Sequence, residues 1–149
     1  MSQPNKHLLS KSTFIRGLQC HKSLYLYKNY YHLRDKISPE LQAVFSRGAH
    51  VGQLAVKLFP GGIDVSPPSH FKYNESIVRT SELIEKGQEV IYEASFQTEQ
   101  VMAAMDILAK KKGKWHAVEV KSSTRVSDTY LIDAAVQYYV ITNSGLELE

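Results

Sequence analysis

The stretch Val101–Ser123 constrains this chain more than any other. Two short apolar runs, Ala103 to Leu108 and Trp115 to Val120, flank the polar segment Lys110 to Lys114, the pattern of two strands joined by a tight turn. With Lys112 and Gly113 as the turn residues, counting outward pairs Lys111 with Lys114, Leu108 with Ala117, and Asp106 with Glu119. Opposed Cβ atoms on antiparallel strands lie roughly 4.5–5.5 Å apart, a distance at which like charges destabilise the pair. A compensating cation is therefore expected. Lys121 lies two residues beyond Glu119, so the period of a strand puts it on the same face. Two hard oxygen ligands beside an ammonium suit the holding of Mg²⁺ or Mn²⁺ against a phosphate, which points to metal-dependent phosphodiester hydrolysis.

Asp106 followed by Glu119-Val120-Lys121 resembles the Asp…Glu-x-Lys signature of the PD-(D/E)XK nuclease superfamily, and Glu-Val-Lys-Ser-Ser is similar to its RecB-like branch. The resemblance covers roughly residues 10–145 and rests on few positions. It implies an α/β fold with a restriction-endonuclease-like core, in which a mixed, mainly antiparallel sheet is flanked by helices. The implied activity is a Mg²⁺- or Mn²⁺-dependent DNA nuclease with single-stranded DNA as the favoured partner, an exonuclease being one form and the choice between exo and endo modes left open. The alternative is a DNA-binding or partner-dependent module that keeps the fold without turnover, with a helicase or a repair or defence protein as the partner.

The length of 149 residues suits one domain spanning 1–149, and 43% hydrophobic with 22% charged residues is ordinary for a globular protein. No apolar run approaches the ~20 residues of a membrane span, and Met-Ser-Gln-Pro-Asn-Lys is no signal peptide, so a cytoplasmic protein with no membrane association is expected. The net charge of +3 permits nucleic-acid binding.

Ser10 is placed to cap a helix carrying Phe14, Leu18, His21 and Tyr25 on one side, with Gly17 as an interruption. The segment from Leu9 to Leu26 is similar to the opening of RecB-like nucleases that carry an iron–sulfur cluster, such as the CRISPR-associated exonucleases, in which one Cys precedes the nuclease motifs and three follow. Cys20 matches the first, as a cluster ligand, and the chain has no other Cys. The other reading of Cys20 is a small packed hydrophobe. The expectation is a cluster in a longer full-length protein, of which this is the N-terminal part and whose three further ligands lie beyond residue 149. Tyr25, Tyr27, Tyr30 and Tyr31 stand among Lys28, His32, Arg34 and Lys36, the aromatic and basic mixture of single-strand binders.

Ser38-Pro39-Glu40 opens a helix with a capping hydroxyl, a proline in the first turn and an acid at its positive end. Leu41, Val44, Phe45, Gly48, Gly52, Ala55 and Phe59 form one stripe, whose glycines predict a close approach to the sheet, and Pro60-Gly61-Gly62 ends the helix. His50 lies off that stripe. Gly-Ala-His-Val-Gly-Gln-Leu-Ala resembles the RecB-type helix whose His completes the metal site, so the resemblance gives His50, Asp106 and Glu119 as metal ligands, Lys121 as the group that orients water and stabilises developing charge, and Gln137 as a catalytic support.

Gly62 to Val65 reads as a short strand or turn, Asn74 to Lys86 as a helix with Ile77, Leu83 and Ile84 facing inward, and Glu89 to Phe96 as a strand. Glu93 sits in that strand amid apolar neighbours, and the resemblance favours it as a carboxylate near the site. A helix capped near Ser127 is apolar almost all round from Leu131 to Ile141, which predicts cover on more than one side. Gln137 is its polar exception. RecB-like nucleases carry a Gln here with a Tyr one turn later, whereas this chain has Tyr138 and Tyr139 beside Gln137 and Ile141 one turn on, so the two tyrosines are expected near the site.

Overall fold

The computed structural model describes residues 8–69 and 72–149, and among them it is an α/β structure of five α-helices and a mixed sheet. Its frame is a three-strand meander. Strands β3 (Val90–Thr98) and β4 (Val101–Lys111) pair antiparallel, as do β4 and β5 (Lys114–Val118). The turn into β5 is Lys112-Gly113, both at positive φ (52° and 83°), the backbone a two-residue hairpin demands. Lys111 faces Lys114 and Leu108 faces Ala117, as the count from the turn predicts. The turn into β4 is also two residues, Glu99-Gln100, with Glu99 at φ 49°. No Gly or Asn announces it, so it is silent in the sequence.

Two short strands complete the sheet in parallel: β1 (Leu9–Ser10) beside the start of β4, and β2 (Ile63–Asp64) beside β3. Because β2 is so short, helix α4 (Tyr73–Glu85) supplies polar partners in its place. Ser76 Oγ donates to Val65 O, and Ser95 N–H donates to Thr80 Oγ1 at 3.0 Å. Ser76 and Thr80 are thus the buried positions of α4, while Ile77, Leu83 and Ile84 are half-buried at its flanks. Gly62 must lack a side chain, since a Cβ would stand 2.2 Å from the Tyr92 ring, whose hydroxyl donates to Phe59 O and accepts from Gly62 N–H.

Three helical expectations are corrected. Ser10 caps α1 (Lys11–Gln19) as expected, but the break falls at extended Cys20, which starts α2 (His21–Asn29). Gly17 does not interrupt; it receives Leu24. Leu18, His21 and Tyr25 are exposed and form no buried stripe. Helix α3 (Pro39–Val56) has its Ser38 cap and Pro start, but no buried residue, and nothing lies within 4 Å of a Cβ at Gly48 or Gly52. The glycines of its stripe therefore make no close approach to the sheet, and the stripe meets a strand at Phe59, past the helix end, where Lys111 of β4 lies 4.8 Å from the ring centroid. Helix α5 (Asp128–Asn143) buries one face, Asp133, Val136, Gln137, Val140 and Ile141, and leaves Leu131, Ile132, Tyr138 and Tyr139 exposed, so it is covered on one side only. Ala103, Met105, Leu108, Phe96 and Trp115 of the meander and Val136, Val140 and Ile141 of α5 belong to one apolar core. No helix among the described residues is long and apolar enough to cross a membrane.

Candidate active site

The site forms where β5 leaves the sheet. The ladder between β4 and β5 ends at Ile107 and Val118, so Asp106 and Glu119 fall one step beyond it. In place of a further backbone bond, Asp106 Oδ2 accepts from Val120 N–H at 2.6 Å. Asp106 thus fixes the backbone of the Glu-Val-Lys triplet. On the other edge of β4, Tyr92 pairs with Ile107 and Ala94 with Met105, which puts Glu93 opposite Asp106. Glu93 takes φ 56°, a left-handed conformation uncommon for a residue with a side chain and one that is found at functional sites.

Around Glu119 the structure builds a ring of charges. Its Oε1 accepts from Lys121 Nζ at 2.5 Å and from Lys11 Nζ at 2.9 Å. Both ammoniums also meet Asp133 Oδ2, Lys121 at 2.7 Å and Lys11 at 3.5 Å. Glu119 Oε2 accepts from Gln137 Nε2 at 2.6 Å, and the same amide nitrogen donates to Ala104 O at 3.1 Å. Both of those partners are acceptors, which fixes the amide orientation and leaves Gln137 Oε1 buried without a partner. Lys121 also lies 5.5 Å from the Tyr130 ring centroid.

The protonation pattern follows from this layout. Burial alone would raise the Glu119 carboxyl, but Lys11, Lys121 and the Gln137 amide hold it below its ordinary range. Burial would likewise lower Lys121, yet hydrogen bonds to Asp133 and Glu119 and their charges hold the ammonium above its ordinary range. Asp106 is pushed up by burial and by Glu119, against the Val120 hydrogen bond. Glu93 is pushed up to about 7 by burial first, then by Asp106, Asp64 and Glu119. The two lysines are balanced by Glu119 and Asp133, while neither Glu93 nor Asp106 has an ammonium partner among the described residues.

Asp106, Glu119, Lys121 and Gln137, singled out in the sequence, are therefore brought together, with Glu93 beside them. His50 is not: it is exposed on α3, and among the described residues no three His, Cys, Asp or Glu side chains converge into a metal-holding group. On α3 nothing lies within 4 Å of a Cβ at Gly48 or Gly52, the glycines on either side of His50. Tyr138 lines a cavity of about 270 Å³ with Met105, Ala117, Glu119, Gln137 and Leu148, whereas Tyr139 is half-exposed and outside that lining. Cys20 is exposed and accepts from Ser23 N–H as the cap of α2, so it is not a packed hydrophobe.

Lys11 and Asp133 were missed by sequence reasoning, though both left a signal. Asp133 lies one helical turn before Gln137 in an otherwise apolar stretch, so the pair marks one polar stripe. Lys11 opens α1, whose first turn contains no acid, and an ammonium at the positive end of a helix calls for an anion nearby.

Glu93 and Asp106, which have no ammonium within salt-bridge distance among the described residues, offer hard carboxylate oxygens of the kind a Mg²⁺- or Mn²⁺-type cation takes, whereas Glu119 is engaged by Lys11 and Lys121. Cys20 alone cannot hold an iron–sulfur cluster, which takes about four thiolates, so within residues 1–149 it stands as a single thiol. No protein-family model matches the chain, and neither does any curated protein or solved structure.

Proposed function

We propose that this chain is a Mg²⁺- or Mn²⁺-dependent nuclease that hydrolyses phosphodiester bonds in DNA, with a restriction-endonuclease-like arrangement of β3, β4, β5, α1 and α5. The observation that carries the reading is the juxtaposition of Glu93 and Asp106, two carboxylates short of cations, with Glu119 and the Lys121 ammonium at the end of one hairpin. Its resemblance to the Asp…Glu-x-Lys signature supports the same chemistry.

In this reading Glu93 and Asp106 would hold the cation, joined by Glu119 once its ammoniums are displaced, and the bound cation would supply Lewis acidity toward a phosphate. Lys121 orients the attacking water and offsets charge that develops on the phosphate oxygens. Gln137 fixes the Glu119 carboxylate through Oε2. The favoured substrate is single-stranded DNA, because Tyr25, Tyr30 and Tyr31 are exposed beside basic residues, with the Arg34 guanidinium 4.6 Å from the Tyr31 ring centroid. A cytoplasmic setting and a helicase, repair or defence partner belong to the proposal.

A second reading has its own observation. Glu119 is engaged by two ammoniums and His50 stands apart, which suits a DNA-binding module inactive until a partner reorders the site. Incubation of an end-labelled single-stranded oligonucleotide with Mn²⁺ or with EDTA tests both. Cleavage by wild type, absent with EDTA and in Asp106→Asn, is expected; binding without cleavage in Mn²⁺ would favour the second reading.

A further inference from the structure

The charge ring contains two ammoniums where one would serve. Lys121 alone reaches both Glu119 and Asp133 at hydrogen-bond distance, yet Lys11 is brought from α1 onto the same two carboxylate oxygens. Lys11 sits there at a cost, at the positive end of its own helix and with its side chain 19% exposed. Glu119 is the carboxylate that suffers most from this crowding as a ligand, because its Oε1 carries both ammoniums. Asp133 is the carboxylate on α5 to which both can retreat.

We propose that Lys11 and Asp133 are opposed positioning residues of this site: Lys11 holds Glu119 away from a divalent cation, and Asp133 takes the ammoniums when Glu119 is engaged. The inference rests on the metal-binding reading given above and adds to it a residue pair that sets cation affinity. The physical basis is Coulombic. An ammonium within a hydrogen-bond length of a ligand oxygen repels an incoming dication and competes for that oxygen. With Lys11 gone, one competitor is lost while Lys121 remains satisfied by Asp133 at 2.7 Å. With the Asp133 charge gone, both ammoniums depend on Glu119 alone and are harder to displace. The two substitutions therefore act with opposite signs, whereas loosening of the site by either one would weaken binding in both.

Calorimetric titration with Mn²⁺ at one neutral pH tests this in wild type, Lys11→Gln, Lys11→Arg, Asp133→Asn and Asp106→Asn, with melting curves in EDTA to compare folding. Lys11→Gln should bind Mn²⁺ roughly tenfold more tightly and Asp133→Asn roughly tenfold more weakly, as expected for one unit charge close to a dication at a partly screened site. Lys11→Arg keeps the charge and should remain near wild type. Shifts of the same sign, or none, in Lys11→Gln and Asp133→Asn would overturn the proposal while the metal reading stands, provided Asp106→Asn has lost binding. A wild type that takes no Mn²⁺, or an Asp106→Asn that binds as wild type does, removes the metal reading and this inference with it.

Discussion

Glu93 and Asp106 face each other across β3 and β4, held by the pairs Tyr92 with Ile107 and Ala94 with Met105 on either side. Their carboxyls are both raised, by burial first and then by neighbouring acids, and among the described residues no ammonium comes within salt-bridge distance of either one, although Lys11 acts on both from further away. That shortage of positive charge governs how stability should respond to pH, to metal and to substitution.

Glu93 makes the protein less stable as pH rises. Its carboxyl sits at about 7 when folded against 4.5 ordinarily, so between those values the folded state holds the proton more firmly than the unfolded state. Stability then falls through this window, and the full penalty applies above it. Glu93→Gln removes the penalty, and the metal-free melting temperature should rise at pH above 7 and change little at pH near 4. Because Glu93 is only part-buried, the gain is on the order of 1–3 kcal/mol. Thermal scans in EDTA across pH would count against this if the variant and wild type stayed parallel.

Asp106→Asn should stabilise the metal-free protein and abolish its response to Mn²⁺. An amide oxygen can still accept from Val120 N–H, while the charge disfavoured by burial and by Glu119 is gone. In wild type, metal at ~100 times its dissociation constant contributes about 2.7 kcal/mol. At this chain length each kcal/mol moves the melting temperature by roughly 2–4 °C. An undiminished Mn²⁺ shift in the variant would place the cation elsewhere.

Lys121→Ala should lower cleavage by about 100-fold or more, the scale for losing one group that stabilises transition-state charge. Metal affinity should not fall, because a protonated ammonium is no ligand. Parallel rate measurements and Mn²⁺ titrations decide the point; joint loss of both would show that Lys121 supports the cation site itself.

The exposed tyrosines should bind single strands independently of the metal. Tyr25→Ser and Tyr31→Ser are expected to cost about 1–3 kcal/mol each if a base stacks on the ring. Neutralising Lys36 should reduce the slope of log affinity against log salt by about 0.7. Fluorescence anisotropy of a labelled oligothymidine in EDTA reads both effects, and unchanged binding would remove this surface from the substrate path.

Much of this protein was decided locally and so was legible in the chain. The Lys112-Gly113 turn sets the β4–β5 register through φ values a hairpin requires, which is why Asp106 and Glu119 could be brought together by counting. Ser10 and Ser38 cap helices with their own side chains, a chemistry contained within a few residues. Other features depend on which distant segment arrives. The periodicity of α3 names the side that would be buried but cannot supply a neighbour, and with none against Gly48 and Gly52, His50 stays outside the site. Lys11 and Glu119 are 108 positions apart, and only the docking of α1 and α5 around the end of β5 makes them partners. Charge pairing of this kind is a property of three-dimensional proximity: the chain determines which groups are available, and packing determines which carboxylates receive a cation and which are left to seek one.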